Sequence, residues 1–255
     1  MEFFVFSSGS KGNCSALKIG EQIILVDCGL RFNHLKQAFI NNNLDINNLT
    51  HVIITHEHAD HILGLKALSN NLKNVQVLLS KGTFIAYTEK TKHVVSNKQF
   101  VCPHNKLKIA DVEFDFFPTM HDSREAIGFT IDLPESKFSY LTDCGNINKH
   151  ILDKVQGSTH LAIEANYCPE LLASGPYPEF LKQRVAGDYG HLSNYQTANV
   201  LQKVKNNLKH VCLMHLSENN NNPTIAHNIC KKALNDDTIL DIASQNNGAK
   251  PFIIN

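Results

Sequence analysis

The stretch Thr55-His56-Glu57-His58-Ala59-Asp60-His61 limits the fold of this chain more than any other, because it sets four potential metal ligands within six positions directly behind the apolar run Val52-Ile53-Ile54. On a regular helix, positions i and i+2 point to different sides, so His56 and His58 share an ion only where the backbone turns. A strand that ends and opens into a helix N-terminus supplies that turn, and the amphipathic run from Ile62 to Leu68 reads as the helix. His56 and His58 then converge on one ion, and Asp60 and His61 on a neighbouring one. Imidazole and carboxylate are ordinary ligands for zinc and similar divalent metals. A chance cluster of polar surface residues is the competing reading, and the spacing argues against it.

The rest of the chain alternates strands with helices. Met1-Glu2-Phe3-Phe4-Val5-Phe6 has an acidic second residue and too short an apolar run for a signal peptide, so it reads as a first strand. The small-residue turn Ser7 to Ser15 follows, with Asn13 its most suggestive residue, and leads into strands near Ala16–Ile19 and Glu21–Val26 that end in Asp27-Cys28-Gly29. Phe32, Leu35, Phe39 and Ile40 mark one face of a helix. Further strands are predicted over Val75–Leu79, Lys106–Ile109, Val112–Phe117, Ala126–Ile131 and Phe138–Leu141, and further helices over Lys81–Glu89, Glu179–Val185, through Val200, Leu201 and Val204, and over Pro223–Leu234. Ser193 or Asn194 can cap the third of these. Pro251 to Ile254 reads as an edge strand.

Two echoes point to an internally duplicated architecture. Asp27-Cys28-Gly29 returns as Asp143-Cys144-Gly145, and Thr50-His51-Val52-Ile53-Ile54 returns as Thr159-His160-Leu161-Ala162-Ile163 and Lys209-His210-Val211-Cys212-Leu213. His51, His160 and His210 begin strands and read as structural, whereas sites collect at strand ends and in the loops beyond them. No linker interrupts the 255 residues, which predicts one domain over 1–255. Apolar content of 42% and charged content of 19% suit a soluble globular protein, and no apolar run is long enough to span a bilayer. Seven scattered cysteines without a CxxC pair suit reduced thiols in a cytoplasm. A formal net charge of zero decides nothing about a polyanionic partner, since a groove can be positive on a neutral protein.

The strand-end candidates assemble into His56, His58 and His121 for one ion and Asp60, His61 and His215 for the other, with Asp143 able to bridge both. This ordered set resembles the metallo-β-lactamase superfamily, over nearly the whole chain. The resemblance implies an α/β fold, the four-layer αββα sandwich, with a dinuclear centre. Oxidoreductase branches of that superfamily carry a glutamate where this chain has His58, and true β-lactamases use a cysteine in place of the bridging aspartate. Asp143 therefore favours the hydrolase branches. Gly190-His191-Leu192-Ser193-Asn194 is similar to the histidine loop with which the phosphodiesterase branch meets its scissile phosphate, and a helix N-terminus there suits an anion.

Within that branch the chain resembles the YycJ/WalJ family, whose members are implied to be exonucleases acting on duplex DNA ends. Matching stretches are Ser8 to Asn13, the HxHxDH run, Thr142 to Gly145, Glu164-Ala165-Asn166, Tyr177-Pro178, Leu181 to Arg184, Gly190 to Asn194 and Leu216 to Asn220. The chain departs from the family at Tyr167-Cys168, where many relatives have His-Asp. The resemblance implies a DNA exonuclease with two divalent ions, zinc or manganese first, with iron and nickel also compatible with these ligands. It implies Asp60 and His191 as catalytic residues: Asp60 orients the attacking water or takes its proton, and His191 donates to the departing oxygen or stabilises charge on the phosphate. Asn13, Asn166, Arg184, Ser193 and Asn194 are its candidate substrate contacts. A small-molecule hydrolase, either a cyclic-phosphate diesterase or a thioesterase, and a ribonuclease remain open alternatives. Oligomeric state is not legible.

Overall fold

Strands that are apolar on both faces dominate the chain, and a sheet buried on both faces needs a layer on each side of it. A computed structural model describes the whole chain, Met1 to Asn255. Its first half forms β1 (Glu2–Ser7), β2 (Cys14–Ile19), β3 (Gln22–Val26), α1 (Phe32–Asn41), β4 (Leu49–Ile54), α2 (Ala59–Ile62), α3 (Leu65–Asn71), β5 (Gln76–Leu79), α4 (Lys81–Thr91) and β6 (Lys98–Phe100). The second half forms β7 (Lys106–Ile109), β8 (Val112–Pro118), β9 (Ile127–Asp132), β10 (Lys137–Leu141), α5 (Lys149–Val155), β11 (His160–Glu164), α6 (Pro169–Ser174), α7 (Glu179–Ala186), α8 (Asn194–Val204), β12 (His210–Met214), α9 (Pro223–Lys231) and β13 (Ile239–Ile242). β14 (Ala249–Ile253) then returns to the first sheet.

Two seven-stranded sheets result, in the orders β14-β1-β2-β3-β4-β5-β6 and β7-β8-β9-β10-β11-β12-β13. Both begin with antiparallel pairings and change to parallel ones at the same point, between β3 and β4 in one sheet and between β10 and β11 in the other. The two Asp-Cys-Gly turns follow β3 and β10, so the sequence echo marks equivalent places in two copies of one pattern. Between the sheets lies a core that includes Phe3, Leu17 and Ile53 from the first sheet and Phe114, Phe116, Phe129 and Phe138 from the second. Outside the first sheet pack Leu35 and Phe39 of α1, Leu65 and Leu68 of α3 and Tyr87 of α4. Outside the second pack Ile151 and Val155 of α5, Val200, Leu201 and Val204 of α8, and Ala226 and Cys230 of α9. This is the αββα sandwich that the sequence predicts. His160 and His210 begin their strands buried near Phe252, as structural residues do.

Some local expectations change. The run from Ile62 to Leu68 is two helices, α2 and α3, parted at Leu63-Gly64. There the chain passes so close to its neighbour that a Cβ on Gly64 would lie 2.0 Å from the Leu30 carbonyl oxygen. Ile40 sits on the expected apolar face of α1 but is 65% exposed, because the contacts of that helix are made by Leu35 and Phe39. β6 and β13 are edge strands with largely exposed or half-buried residues, so no alternating pattern announces them.

Phe129 is fully buried, its ring stacked parallel on Tyr140 at 5.3 Å and tilted against Phe114 at 5.4 Å. Phe129→Ala is expected to lower stability by about 3–5 kcal/mol in urea denaturation. A loss under about 1 kcal/mol would show that the sheets close over the missing ring.

Candidate metal centre

Sharp backbone turns at strand ends assemble the site. Asp27, Asp143 and His215 follow β3, β10 and β12 with φ of 60°, 55° and 55°, the left-handed region in which a Cβ is crowded. Such conformations persist where the surroundings over-determine them. β4 runs out at Ile54 into Thr55 and His56, and His58 is the N-cap of the one-turn helix α2, so Asp60 and His61 swing back towards His56.

Ligand atoms of His56, His58 and His121 lie within 4.8 Å of one another, as do those of Asp60, His61 and His215. Asp143 faces both sets: its carboxylate is 3.5 Å from His61 Nε2, 3.3 Å from His215 Nε2 and 3.8 Å from His121 Nε2. The structure thus brings together all seven residues expected as ligands. His191 stands beside them, its ring centre 5.1 Å from that of His121 and 5.2 Å from that of His215.

Surrounding groups fix which nitrogen of His61, His56, His121 and His191 faces inward. Asp27 is fully buried, and one of its oxygens lies 2.8 Å from His61 Nδ1, leaving Nε2 for the site. Thr55 donates its hydroxyl to Asp27 and lies 3.1 Å from His56 Nδ1, so the same carboxylate reaches His56 through Thr55. His121 Nδ1 lies 3.0 Å from the Gly190 carbonyl. Glu164, also fully buried, accepts from the backbone N–H of Cys144 and Leu192 and lies 3.0 Å from His191 Nδ1. Asp27 and Glu164 were not among the expected site residues. The repeated Asp-Cys-Gly and the strand-end position of Glu164 were the available signals.

The electrostatics suit cations. Burial, with a further contribution from His61, holds His56 well below the usual imidazole range, and burial lowers His58 and His121 as well. Burial also opposes charge on His61 and His215, but Asp143 and its carboxylate neighbours outweigh it, raising His61 well above the usual range and His215 to about 9. Burial is likewise outweighed at Asp143, by His215 and His61, and at Asp60, by His61 and His215, so both stay ionised far below the usual carboxylate range. Two buried atoms aimed into the cluster, His56 Nε2 and Asp143 Oδ2, have no hydrogen-bond partner. Leaving such atoms unpaired is costly, and a bound cation satisfies both. A donor set of imidazoles and carboxylates fits divalent metal ions, which would take the place of the protons that the carboxylates hold on His61 and His215.

The expected substrate contacts fare differently. Asn13 is buried and its amide nitrogen lies 3.1 Å from both Asp60 Oδ2 and His61 Nε2, so it braces ligands. Asn166 is buried against His215, 3.0 Å from Nδ1 and 2.9 Å from the carbonyl oxygen. Ser193 spends its hydroxyl in a capping box with Gln196 at the start of α8. Asn194 is fully buried and paired with Asn221. All four side chains meet an internal partner in the structure. Arg184 alone stands at the rim, its Nε 2.5 Å from Asp122 Oδ2.

A family model described as a beta-lactamase superfamily domain matches residues 22–216. Exodeoxyribonuclease YycJ of Bacillus anthracis is 29% identical over 228 residues, 89% of this chain and 86% of that protein. Exodeoxyribonuclease WalJ of Streptococcus pneumoniae is 31% identical over 231 residues, 89% of this chain and 85% of that protein. Among solved structures, the metallo-beta-lactamase fold protein YhfI from Bacillus subtilis aligns over 99% of both chains with a TM-score of 0.74 at 14% identity. No helix here is long and apolar enough to cross a membrane.

Because Asp27 serves one ring in each ligand set, Asp27→Asn is expected to weaken metal binding about 10- to 100-fold, measured by competition with a chelator. Unchanged affinity would show that the rings are held without it.

Proposed function

The chain belongs to the beta-lactamase superfamily domain family, and on that premise we propose that it is a DNA exonuclease with two divalent cations, zinc or manganese, held by His56, His58 and His121 and by Asp60, His61 and His215, with Asp143 between them. It is a metal-dependent hydrolase. One observation carries the phosphodiesterase reading: His191, braced by Glu164, stands against both ligand sets at once, where it meets a phosphate held over them. The two relatives named as exodeoxyribonucleases support DNA as the substrate. An open rim supports a large substrate, since the side chains of His58, Asp60 and His191 are 26%, 21% and 20% exposed. Seven free cysteines, of which only Cys102 is exposed, support a reducing cytoplasm.

Bound divalent ions supply positive charge to the phosphate oxygens and lower the pKa of water towards neutrality. Asp60 commits Oδ2 to Asn13 and His215, which leaves Oδ1, as a hydrogen-bond acceptor, to orient the attacking water. With Nδ1 engaged by Glu164, His191 has Nε2 to offer a proton to the departing oxygen. Arg184 adds positive charge at the rim for a phosphate oxygen.

Purified protein supplied with manganese or zinc is expected to shorten end-labelled duplex DNA. Hydrolysis of bis(p-nitrophenyl) phosphate with no loss of DNA or RNA would overturn the nuclease assignment, and degradation of RNA alone would make it a ribonuclease. Asp143→Ala is expected to abolish hydrolysis. His191→Ala is expected to slow it about 10²- to 10⁴-fold, with metal content by elemental mass spectrometry retained. Loss of metal from that variant would contradict the role given to His191.

A further inference from the structure

Asp122, next to His121, joins the metal centre to its rim in three directions. Its Oδ1 lies 3.7 Å from His58 Nε2 and 3.6 Å from His121 Nε2. Its Oδ2 holds Arg184 Nε at 2.5 Å. Its backbone N–H donates to the Tyr189 carbonyl at 2.9 Å. The segment from Arg184 to His191 is itself tightly bound, with Gly190 N–H donating to Gly187 O at 2.8 Å and His191 N–H to Val185 O at 2.9 Å. It also lies against the turn that carries Asp143: a Cβ on Gly145 would be 2.4 Å from both Gly187 O and Gly190 N.

On this fixed backbone Tyr189 is 59% exposed and the Arg184 side chain 57% exposed. Both terminal guanidinium nitrogens of Arg184 are without a hydrogen bond in the protein. A large ring left in water on a well-held loop, and a cation with donors to spare tied to the same Asp122, supply the two groups that recognise a nucleotide: a flat face for a base and a donor fork for phosphate. Because the backbone is already ordered, little further freedom is lost when a ligand meets them.

We propose that Arg184 and Tyr189 form a nucleotide subsite beside the metal centre, Arg184 taking the phosphate adjacent to the scissile one and the Tyr189 ring stacking on the base, with Asp122 positioning Arg184. The subsite rests on the nuclease reading and narrows it. A base inside a duplex has neighbours on both faces, so the base that stacks on Tyr189 is a terminal one.

The test uses end-labelled oligonucleotides carrying either an ordinary or an abasic terminal nucleotide, with bis(p-nitrophenyl) phosphate as the small substrate. The wild-type protein should degrade the base-bearing ends about tenfold faster than the abasic ends. Tyr189→Ala, which removes the ring and leaves the carbonyl that Asp122 uses, should bring that preference close to one, and Tyr189→Phe should keep it. Asp122→Asn, with metal content verified, should raise KM for the oligonucleotide and flatten its salt dependence while keeping the base preference. Tyr189→Ala that keeps the preference, or Tyr189→Phe that loses it, overturns the stacking role. Asp122→Asn with unaltered KM and salt dependence overturns the positioning role. Wild-type protein that degrades oligonucleotides without regard to the terminal base overturns the subsite alone. Protein that cleaves only the small diester overturns the nuclease reading and the subsite together.

Discussion

One buried carboxylate, Asp27, underlies the geometry of the metal centre. Burying a carboxylate is unfavourable, and burial pushes Asp27 above the usual range against the opposing pull of His61 and Thr55. The structure tolerates it because its oxygens are fully engaged by the Thr55 backbone N–H, the Thr55 hydroxyl and the His61 ring. Through those bonds one side chain orients a ring in each ligand set. The same bonds hold β3 to the end of β4 across the site, so the geometry of the cluster and the register of the sheet are a single problem.

The duplicated sheet pattern explains why such a bracing group exists. Asp27 and Asp143 occupy equivalent turns, each after the last antiparallel strand and before the first parallel one, each with φ near 60°. Asp143 points its carboxylate between the two ligand sets, and Asp27 braces from behind. Two copies of one turn thus perform complementary tasks around a shared centre.

Most of the architecture is legible in the chain because apolar runs and strand-end residues are local signals. His56, His58, Asp60 and His61 announce themselves by spacing, and His121, Asp143 and His215 by standing where strands break. Ser193 caps α8 as expected, and Asn194, Asn13 and Asn166 meet internal partners, which the chain alone does not announce because a polar side chain beside a site reads the same whether it faces a ligand or satisfies the backbone. Only tertiary contacts separate those cases. The division between α2 and α3 escaped for a similar reason: it is set by how closely Gly64 approaches the loop at Leu30, which lies far away in the chain.

α7 buries none of its residues and rests on a few polar ties, among them Arg184 to Asp122 and Lys182 to the Ala173 carbonyl. The turns of α7 ahead of Arg184 can therefore fray with little apolar surface exposed, while the backbone from Arg184 to His191 stays tied to the sandwich.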